Sequence, residues 1–291
     1  MLPHAERTPW VPSKYAEGER RWGKHVRKGE IKFNLGERMK ILITNDDGYF
    51  AKGIKTLAKT LSKNHDVRIV APMSERSGSS HSVSFFSGIT YENKGIIDDI
   101  PTFAVSGTPG DCVLFGVKYL FKDEKIDAVV SGINTCLNAG SDIIFSGTFG
   151  AAQEGTFQRI PSLAVSLRTH GVPDYEFAAE FAANNLERLL SFATENVTIN
   201  LNIPSVKKEN VKGVKIAPVA YQPYDEKYVK KVGEDGVTYF CVDGHRIPHV
   251  DEVVGGDCYQ LDNGYITVTP VQMLANDLPT IEKLKEAKFE L

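Results

Sequence analysis

The chain has 291 residues, of which 42% are hydrophobic and 24% charged, with a formal net charge of −3. That length carries one large core or two modest domains. The charge excludes a protein that coats a nucleic-acid polymer, which needs a strong basic excess. No apolar run approaches the roughly 20 residues that span a bilayer, so no membrane partner is expected. No apolar segment with a small-residue cleavage site opens the chain. The cysteines Cys112, Cys136, Cys241 and Cys258 form no C-x-x-C. A cytoplasmic protein with reduced thiols is expected.

Residues 1–38 lack periodicity and carry Pro3, Pro9 and Pro12, with nine Lys/Arg against five Asp/Glu. That is +4, which leaves −7 for the other 253 residues. A poorly ordered basic N-terminal extension is expected there. Met39 offers an alternative start.

The apolar run Ile41-Leu42-Ile43-Thr44 then reads as a buried parallel strand. It ends in Asn45-Asp46-Asp47-Gly48. Neighbouring side chains of a strand point to opposite faces, so two adjacent carboxylates converge only past its end, on a turn that Gly48 permits. Two like charges held so close repel unless a cation sits between them. The competing reading is a solvated Asp-Gly turn.

Ile54, Leu57, Ala58 and Leu61 fall on one face of a helix over 53–62. Val67 to Ala71 is a second strand, stopped by Pro72. The polar loop 74–81 follows, then a β excursion over 82–105 with Asn93-Lys94-Gly95 at its tip. Ser106-Gly107-Thr108-Pro109 opens a helix, with Thr108 as N-cap, Pro109 at the first helical position and Asp111 in the first turn. That helix is expected to bury Val113, Leu114, Val117 and Leu120. Ile126 to Ser131 is a strand that feeds the glycine- and asparagine-rich loop 132–142. Ser146-Gly147-Thr148 starts a small-residue helix over 149–157. A strand over 162–166, a long helix over 174–192 and a strand over 197–201 follow. The alternation predicts an α/β core over 39–204, a mostly parallel sheet with helices on both faces. Beyond Pro204 come strands over 214–218, 237–242 and 265–269, and a terminal helix over 281–289. Residues 205–291 thus form a β-rich extension, expected to make oligomer contacts.

In open parallel sheets ligands bind beyond the carboxyl ends of the strands. The loops 45–53, 72–81, 106–109 and 132–148 leave such ends. Together they offer Asp46, Asp47, Ser77 and Asn134, an all-oxygen set that suits Mg²⁺ or Mn²⁺ and not zinc or copper. Each Ser-Gly-Thr stands at a helix start, where free N–H groups make a phosphate cradle, or where it is a plain N-cap. Asn45, Ser106, Gly107, Thr108, Ser146, Gly147 and Thr148 are the candidate phosphate-binding residues. There is no G-x-x-x-x-G-K-[ST] and no G-x-G-x-x-G at the first helix, which disfavours a P-loop NTPase and an ordinary dinucleotide-binding enzyme.

Several motifs occur in order: Asn45-Asp46-Asp47-Gly48, Ala71-Pro72 with Glu75-Arg76-Ser77-Gly78 and His81-Ser82, Ser106-Gly107-Thr108-Pro109 with Asp111-Cys112, Ser131-Gly132-Ile133-Asn134, and Asp142-Ile143 with Ser146-Gly147-Thr148. Over residues 39–275 the chain resembles the SurE family, stationary-phase survival proteins that act as nucleoside-monophosphate phosphatases. The resemblance implies a Rossmann-like core and one divalent cation per subunit. It implies 5′-nucleotidase activity that extends to 3′-nucleotides and short polyphosphate, and a homodimer or homotetramer. Asp46, Asp47, Ser77 and Asn134 map to the metal ligands. Where the family carries Asn-Arg-Gly-Pro-Asn, this chain has Asn134-Thr135-Cys136-Leu137-Asn138. Tyr49-Phe50-Ala51 is bulkier than the family's segment, and Tyr221-Gln222-Pro223-Tyr224-Asp225 stands where a basic-aromatic stretch is expected.

Phosphate-monoester hydrolysis is so slow that such an enzyme supplies up to ~10²¹-fold acceleration. The expected catalytic residues are Asp46, Asp47 and His81, the last either protonating the leaving oxygen or bonding backbone. Amides near Ser106 to Thr108 are expected to stabilise the equatorial oxygens. Two rivals stand beside this reading. One is a covalent phosphatase with Asp46 as nucleophile, which usually wants D-x-D-x-[TV]. The other is a nucleotide-binding regulator without turnover.

Overall fold

A computed structural model describes residues 36–168, 173–247 and 255–287. The basic segment up to residue 35 lies outside the described residues, as does the end of the expected terminal helix.

The central strand β1, Lys40–Thr44, is the apolar run seen in the sequence. It pairs in parallel with β2 (Asp66–Pro72) on one side and with β5 (Ala128–Asn134) on the other. Beyond β5 lie β6 (Ser162–Leu167) and β7 (Val197–Ile203), and beyond β2 lies β4 (Ile100–Val105), all parallel. Antiparallel strands close both ends: β3 (Tyr91–Ile97) on β4, and β11 (Ile266–Gln272) on β7, with β8 (Val214–Ile216) outermost.

Alternation along β1 divides the core in two. Ile41 and Ile43 face the layer of α1 (Lys52–Leu61) and α4 (Tyr175–Leu190). Leu42 faces the layer of α2 (Pro109–Phe115) and α3 (Gly147–Phe157). Helices on both faces of a parallel sheet are what these near-continuous apolar strands require. The α/β expectation therefore holds.

The β excursion is a true hairpin, but it turns at Asp98 and Asp99, both with positive φ. The expected tip is instead an irregularity inside β3, where Gly95 N donates to Asn93 Oδ1 at 2.8 Å. An Asn-x-Gly triplet carries the same local signal in a bulge as in a turn. The helix after Thr108 loosens into a π turn at Gly116–Leu120.

The stretch after Pro204 divides. The strands over 214–216 and 266–272 extend the main sheet, while β9 (Tyr224–Val232) and β10 (Thr238–Arg246) form a separate two-stranded hairpin. β9 is missing from the sequence reading because its residues are charged and largely exposed, so no buried face marks it. A short helix, α5 (Asp257–Asp262), is also absent from that reading. Its buried Asp257 accepts from Gly140 N at 2.9 Å and Ala220 N at 3.0 Å, tying the extension to the 132–142 loop. The final helix, α6, runs Leu278–Lys285.

The entry of α1 sits hard against the end of β5. A Cβ on Gly53 would lie 2.2 Å from the Ile133 carbonyl oxygen, a backbone atom that cannot swing away. Gly53→Ala gains helix propensity of under about 1 kcal/mol, but the forced shift outweighs it. A net loss of about 1–3 kcal/mol is expected, measured by urea denaturation. Unchanged stability would show that α1 is not pinned to β5 as described.

Candidate active site at the carboxyl edge of the sheet

From β1 the sheet order runs to β2 and β4 on one side and to β5, β6 and β7 on the other. The crevice at such a switch point is where open α/β sheets hold ligands. Just past β1, Asn45 folds the chain back on itself. Its Nδ2 donates to Gly48 O at 3.0 Å, and Gly48 N donates to its Oδ1 at 3.2 Å. Gly48 takes φ +103°, and Asp46 and Asp47 are held on this closed turn. Asn45 is thus committed to the turn itself, not to phosphate.

Asp46 is only 4% exposed. The Thr148 hydroxyl donates to its Oδ1, and Arg76 N donates to its main-chain carbonyl at 2.7 Å. α3 starts here, so the positive end of the helix faces the carboxylate. Gly147 lies so close that a Cβ would come 2.9 Å from Asp46 Cβ and 2.6 Å from Ser79 Oγ. Burial still raises the Asp46 carboxyl above its ordinary range, against the lowering effect of the Thr148 bonds. Asp47 is pushed up to about 6, by burial first and then by the charges of Asp46 and Glu75. Glu75, missed in the sequence, is therefore a third carboxylate within electrostatic reach. Its oxygen accepts from Ser77 Oγ at 2.8 Å.

The end of β5 brings in Asn134. Its Nδ2 donates to Cys136 O at 2.8 Å, which leaves its carbonyl oxygen as the atom for a ligand. Burial, then the charges of Asp47 and Asp46, raises the Cys136 thiol, which puts this loop beside the pair. The loop hangs on Asn138, a residue missed as a site candidate. Its carbonyl accepts from Asn200 Nδ2 at 2.7 Å and Asn202 Nδ2 at 3.2 Å, and its Nδ2 donates to Ser166 Oγ at 2.8 Å. The available signal was Thr198-Ile199-Asn200-Leu201-Asn202, polar residues at alternate positions of a strand buried on both faces.

The donors suit a hard divalent cation. Asp46, Asp47 and the Asn134 carbonyl are all oxygen, and Ser79 Oγ, beside Asp46 at Gly147, is buried without a hydrogen-bond partner. Among the described residues no group of three or more His, Cys, Asp or Glu side chains is placed to hold a metal ion by itself, so the neutral oxygens of Asn134 and Ser79 matter to the set.

The two Ser-Gly-Thr motifs diverge. At the second, Ser146 caps α3 by accepting from Phe149 N at 2.9 Å, while Gly147 and Thr148 face Asp46. At the first, Asp111 Oδ2 takes the Thr108 amide at 2.8 Å, and Thr108 Oγ1 accepts from Asp111 N at 3.1 Å. A capping carboxylate occupies the end of α2 and repels phosphate, so Gly107 and Thr108 serve the helix. Ser106 Oγ accepts from Thr90 N at 2.8 Å. His81 is also committed: Nε2 lies 2.6 Å from Glu154 Oε2 and Nδ1 lies 3.2 Å from Gln153 Oε1. It anchors the 77–84 loop to α3 and has no nitrogen left for a leaving group.

The family model for survival protein SurE matches residues 41–226. The chain belongs to the SurE family. The "5′-nucleotidase SurE" of Clostridium botulinum (strain Kyoto / Type A2) is 39% identical over 253 residues, covering 86% of this chain and 98% of that protein. The protein of the same name from Alkaliphilus metalliredigens (strain QYMF) is 34% identical over 254 residues, covering 87% of this chain and all of that one. The crystal structure of the SurE protein from Aquifex aeolicus superposes with a TM-score of 0.71 at 31% identity, covering 85% of this chain and 100% of that one. The expected SurE resemblance and its mostly parallel fold are thereby confirmed. No described helix is long and apolar enough to cross a membrane.

The raised Asp47 has a measurable consequence. Its folded carboxyl titrates near 6 against an ordinary 3.8, so between these values the folded chain holds a proton that the unfolded chain has released. Stability of the metal-free protein therefore falls as pH rises from about 4 to about 6. Asp47→Asn is expected to flatten that part of the profile and to raise the melting temperature at pH 7.5 in chelator. Identical profiles for the two proteins would refute the unneutralised pair.

Proposed function

We propose that this SurE protein is a phosphoric monoester hydrolase that cleaves nucleoside monophosphates to nucleoside and phosphate in a reaction dependent on Mg²⁺ or Mn²⁺. The observation that carries this reading is the Asp46/Asp47 pair, uncompensated as it stands, with the unpartnered Ser79 hydroxyl beside Asp46. One cation per subunit would be held by Asp46, Asp47 and Asn134, with Ser77 supplying the remaining protein oxygen once it releases Glu75. When bound, such a cation neutralises the carboxylates, polarises phosphoryl oxygens and lowers the pKa of water toward about 7. Thr148 and the start of α3 hold Asp46 in one orientation, and the closed Asn45–Gly48 turn fixes Asp47 beside it. The α3 end also offers N–H groups to phosphate oxygens, a role the capped end of α2 does not share. Hydrolysis of 3′-nucleotides and short polyphosphate falls within the same reading, since the chemistry acts at phosphorus.

The covalent alternative fares poorly. Asp46 is buried and its Oδ1 accepts from Thr148, which leaves it ill placed to attack. A regulator without turnover would have no use for a destabilised carboxylate pair.

Assembly forms part of the reading. Tyr228, Val232, Phe240 and Val242 lie on one face of the β9–β10 hairpin and are exposed. A second copy of the chain, giving a homodimer or homotetramer, covers that face.

Phosphate release from AMP tests the activity. Turnover is expected with Mn²⁺ or Mg²⁺, none in chelator, and a loss of ~10³-fold or more in Asp47→Asn that added metal does not restore. Near-normal turnover of Asp47→Asn in chelator would overturn the metal assignment. Light scattering tests the assembly: a dimer or larger is expected, and Phe240→Lys with Val242→Lys should yield monomer. A wild-type monomer at micromolar concentration would remove the oligomer from the reading.

A further inference from the structure

We propose that Arg76 is the side chain that grips the phosphoryl group of the substrate. The inference rests on the phosphomonoesterase reading above and adds the residue that makes it electrostatically workable. The charge of Glu75 reaches both Asp46 and Asp47, and that of Asp46 reaches Asp47, at this edge. A single divalent cation leaves that cluster net negative before a phosphate dianion arrives. A positively charged group must therefore complete the site, and few are free to do so. Lys94 pairs with Glu92, Lys52 with Glu176, and Arg246 with Asp262. His81 is taken by Glu154.

Arg76 differs from all of these. Its backbone amide is bonded to the carbonyl of Asp46 itself, at 2.7 Å, so the residue is pinned to the turn that bears the carboxylates. Its guanidinium Nη2 donates to a neutral acceptor, the Ser106 carbonyl, at 2.8 Å. No ion pair to Arg76 occurs among the described residues. The residue thus bridges the β1 turn, through its backbone, and the loop before α2, through its guanidinium, with other guanidinium N–H donors left over. An Arg fixed by one neutral bond and carrying unpaired donors is pre-organised for bidentate recognition of phosphate. Asp111, beside the Ser106 loop, is engaged by Thr108 and Ser84 and does not pair with Arg76. The same bond accounts for Ser106, whose carbonyl rather than its hydroxyl then serves the site.

The test compares wild type, Arg76→Ala and Arg76→Lys with AMP and ribose 5-phosphate as substrates. Arg76→Ala should lose ~10²-fold or more in kcat/KM on both, since the grip is on phosphate and not on base. Added guanidinium should restore part of that loss in Arg76→Ala and nothing in wild type, and Arg76→Lys should fall between. The melting temperature and its rise with Mn²⁺ should stay as in wild type. Inorganic phosphate, followed by calorimetry, should bind wild type and bind Arg76→Ala at least tenfold more weakly. Wild-type kinetics and phosphate affinity in Arg76→Ala would overturn the proposal. So would a loss of activity accompanied by loss of the Mn²⁺ response, since that outcome makes Arg76 a prop for the carboxylate turn. A wild type that binds phosphate through Arg76 but hydrolyses neither ester would refute the phosphomonoesterase reading and leave the grip standing.

Discussion

The contact between Asp46 and the start of α3 governs this molecule. A carboxylate that is almost wholly buried needs compensation, and here the compensation is a helix end with the Thr148 hydroxyl at its tip. The contact fixes where α3 lies, because Gly147 must approach Asp46 and Ser79 with no side chain between. It also fixes the loop that contains Arg76, since that loop's amide is bonded to the carbonyl of the same aspartate. Sheet, helix and loop therefore meet at one residue. The compensation is incomplete, as the raised carboxyls of Asp46 and Asp47 record. A fully satisfied aspartate would be a structural cap, and the shortfall is what the proposed cation would make good.

The sequence carried this pair because its members are adjacent and follow an apolar strand. It could not carry Glu75 or Glu154 in the same way, since both act through contacts made only in the folded chain. Glu154 lies on α3 and meets His81 across 73 positions of sequence. A loop histidine looks like a proton donor until its partner is known. The two Ser-Gly-Thr motifs are a different case, because the deciding signal was local. Thr108-Pro109-Gly110-Asp111 is a capping box in the T-x-x-D sense, with both reciprocal bonds formed. Ser146-Gly147-Thr148-Phe149 has no acid at that position. An identical tripeptide thus serves a helix in one place and faces a buried carboxylate in the other.

The fold was legible wherever burial imposes periodicity. β1, β2, β5 and β6 are apolar on both faces or nearly so, β7 is buried on both faces though polar on one, and each stands close to its expected place. Legibility failed for β9, whose charged and exposed residues obey no periodicity that a monomer requires. It failed in another way for β8 and β11, which read as strands but not as members of the main sheet. β8 is exposed throughout, and the alternation of β11 is partly polar inside: Thr267 and Thr269 are buried against Asn202 and Asn200 across the ladder. A polar buried face looks like an exposed one in a sequence, so neither strand reads as part of the main sheet.

That polar seam has a role in the site. Asn200 and Asn202 hold the Asn138 carbonyl, and Asn138 ends the loop that begins with Asn134. The loop Asn134-Thr135-Cys136-Leu137-Asn138 contains neither Gly nor Pro, so its shape depends on the amides beneath it and on Asp257 beside it. Asp257 bonds the Gly140 amide from α5, and Tyr224, at the root of the hairpin, donates its hydroxyl to Asp142. The loop bearing Asn134 is therefore braced by the same segment that presents the apolar hairpin face. A second copy over that face, as proposed, would restrain Tyr224 and hence Asp142, whose short helical turn, Gly140–Ile144, leads into Ser146 and the start of α3. The C-terminal extension is thus a wall of the catalytic crevice, joined to Asp46 through α3 and to Asn134 through the loop.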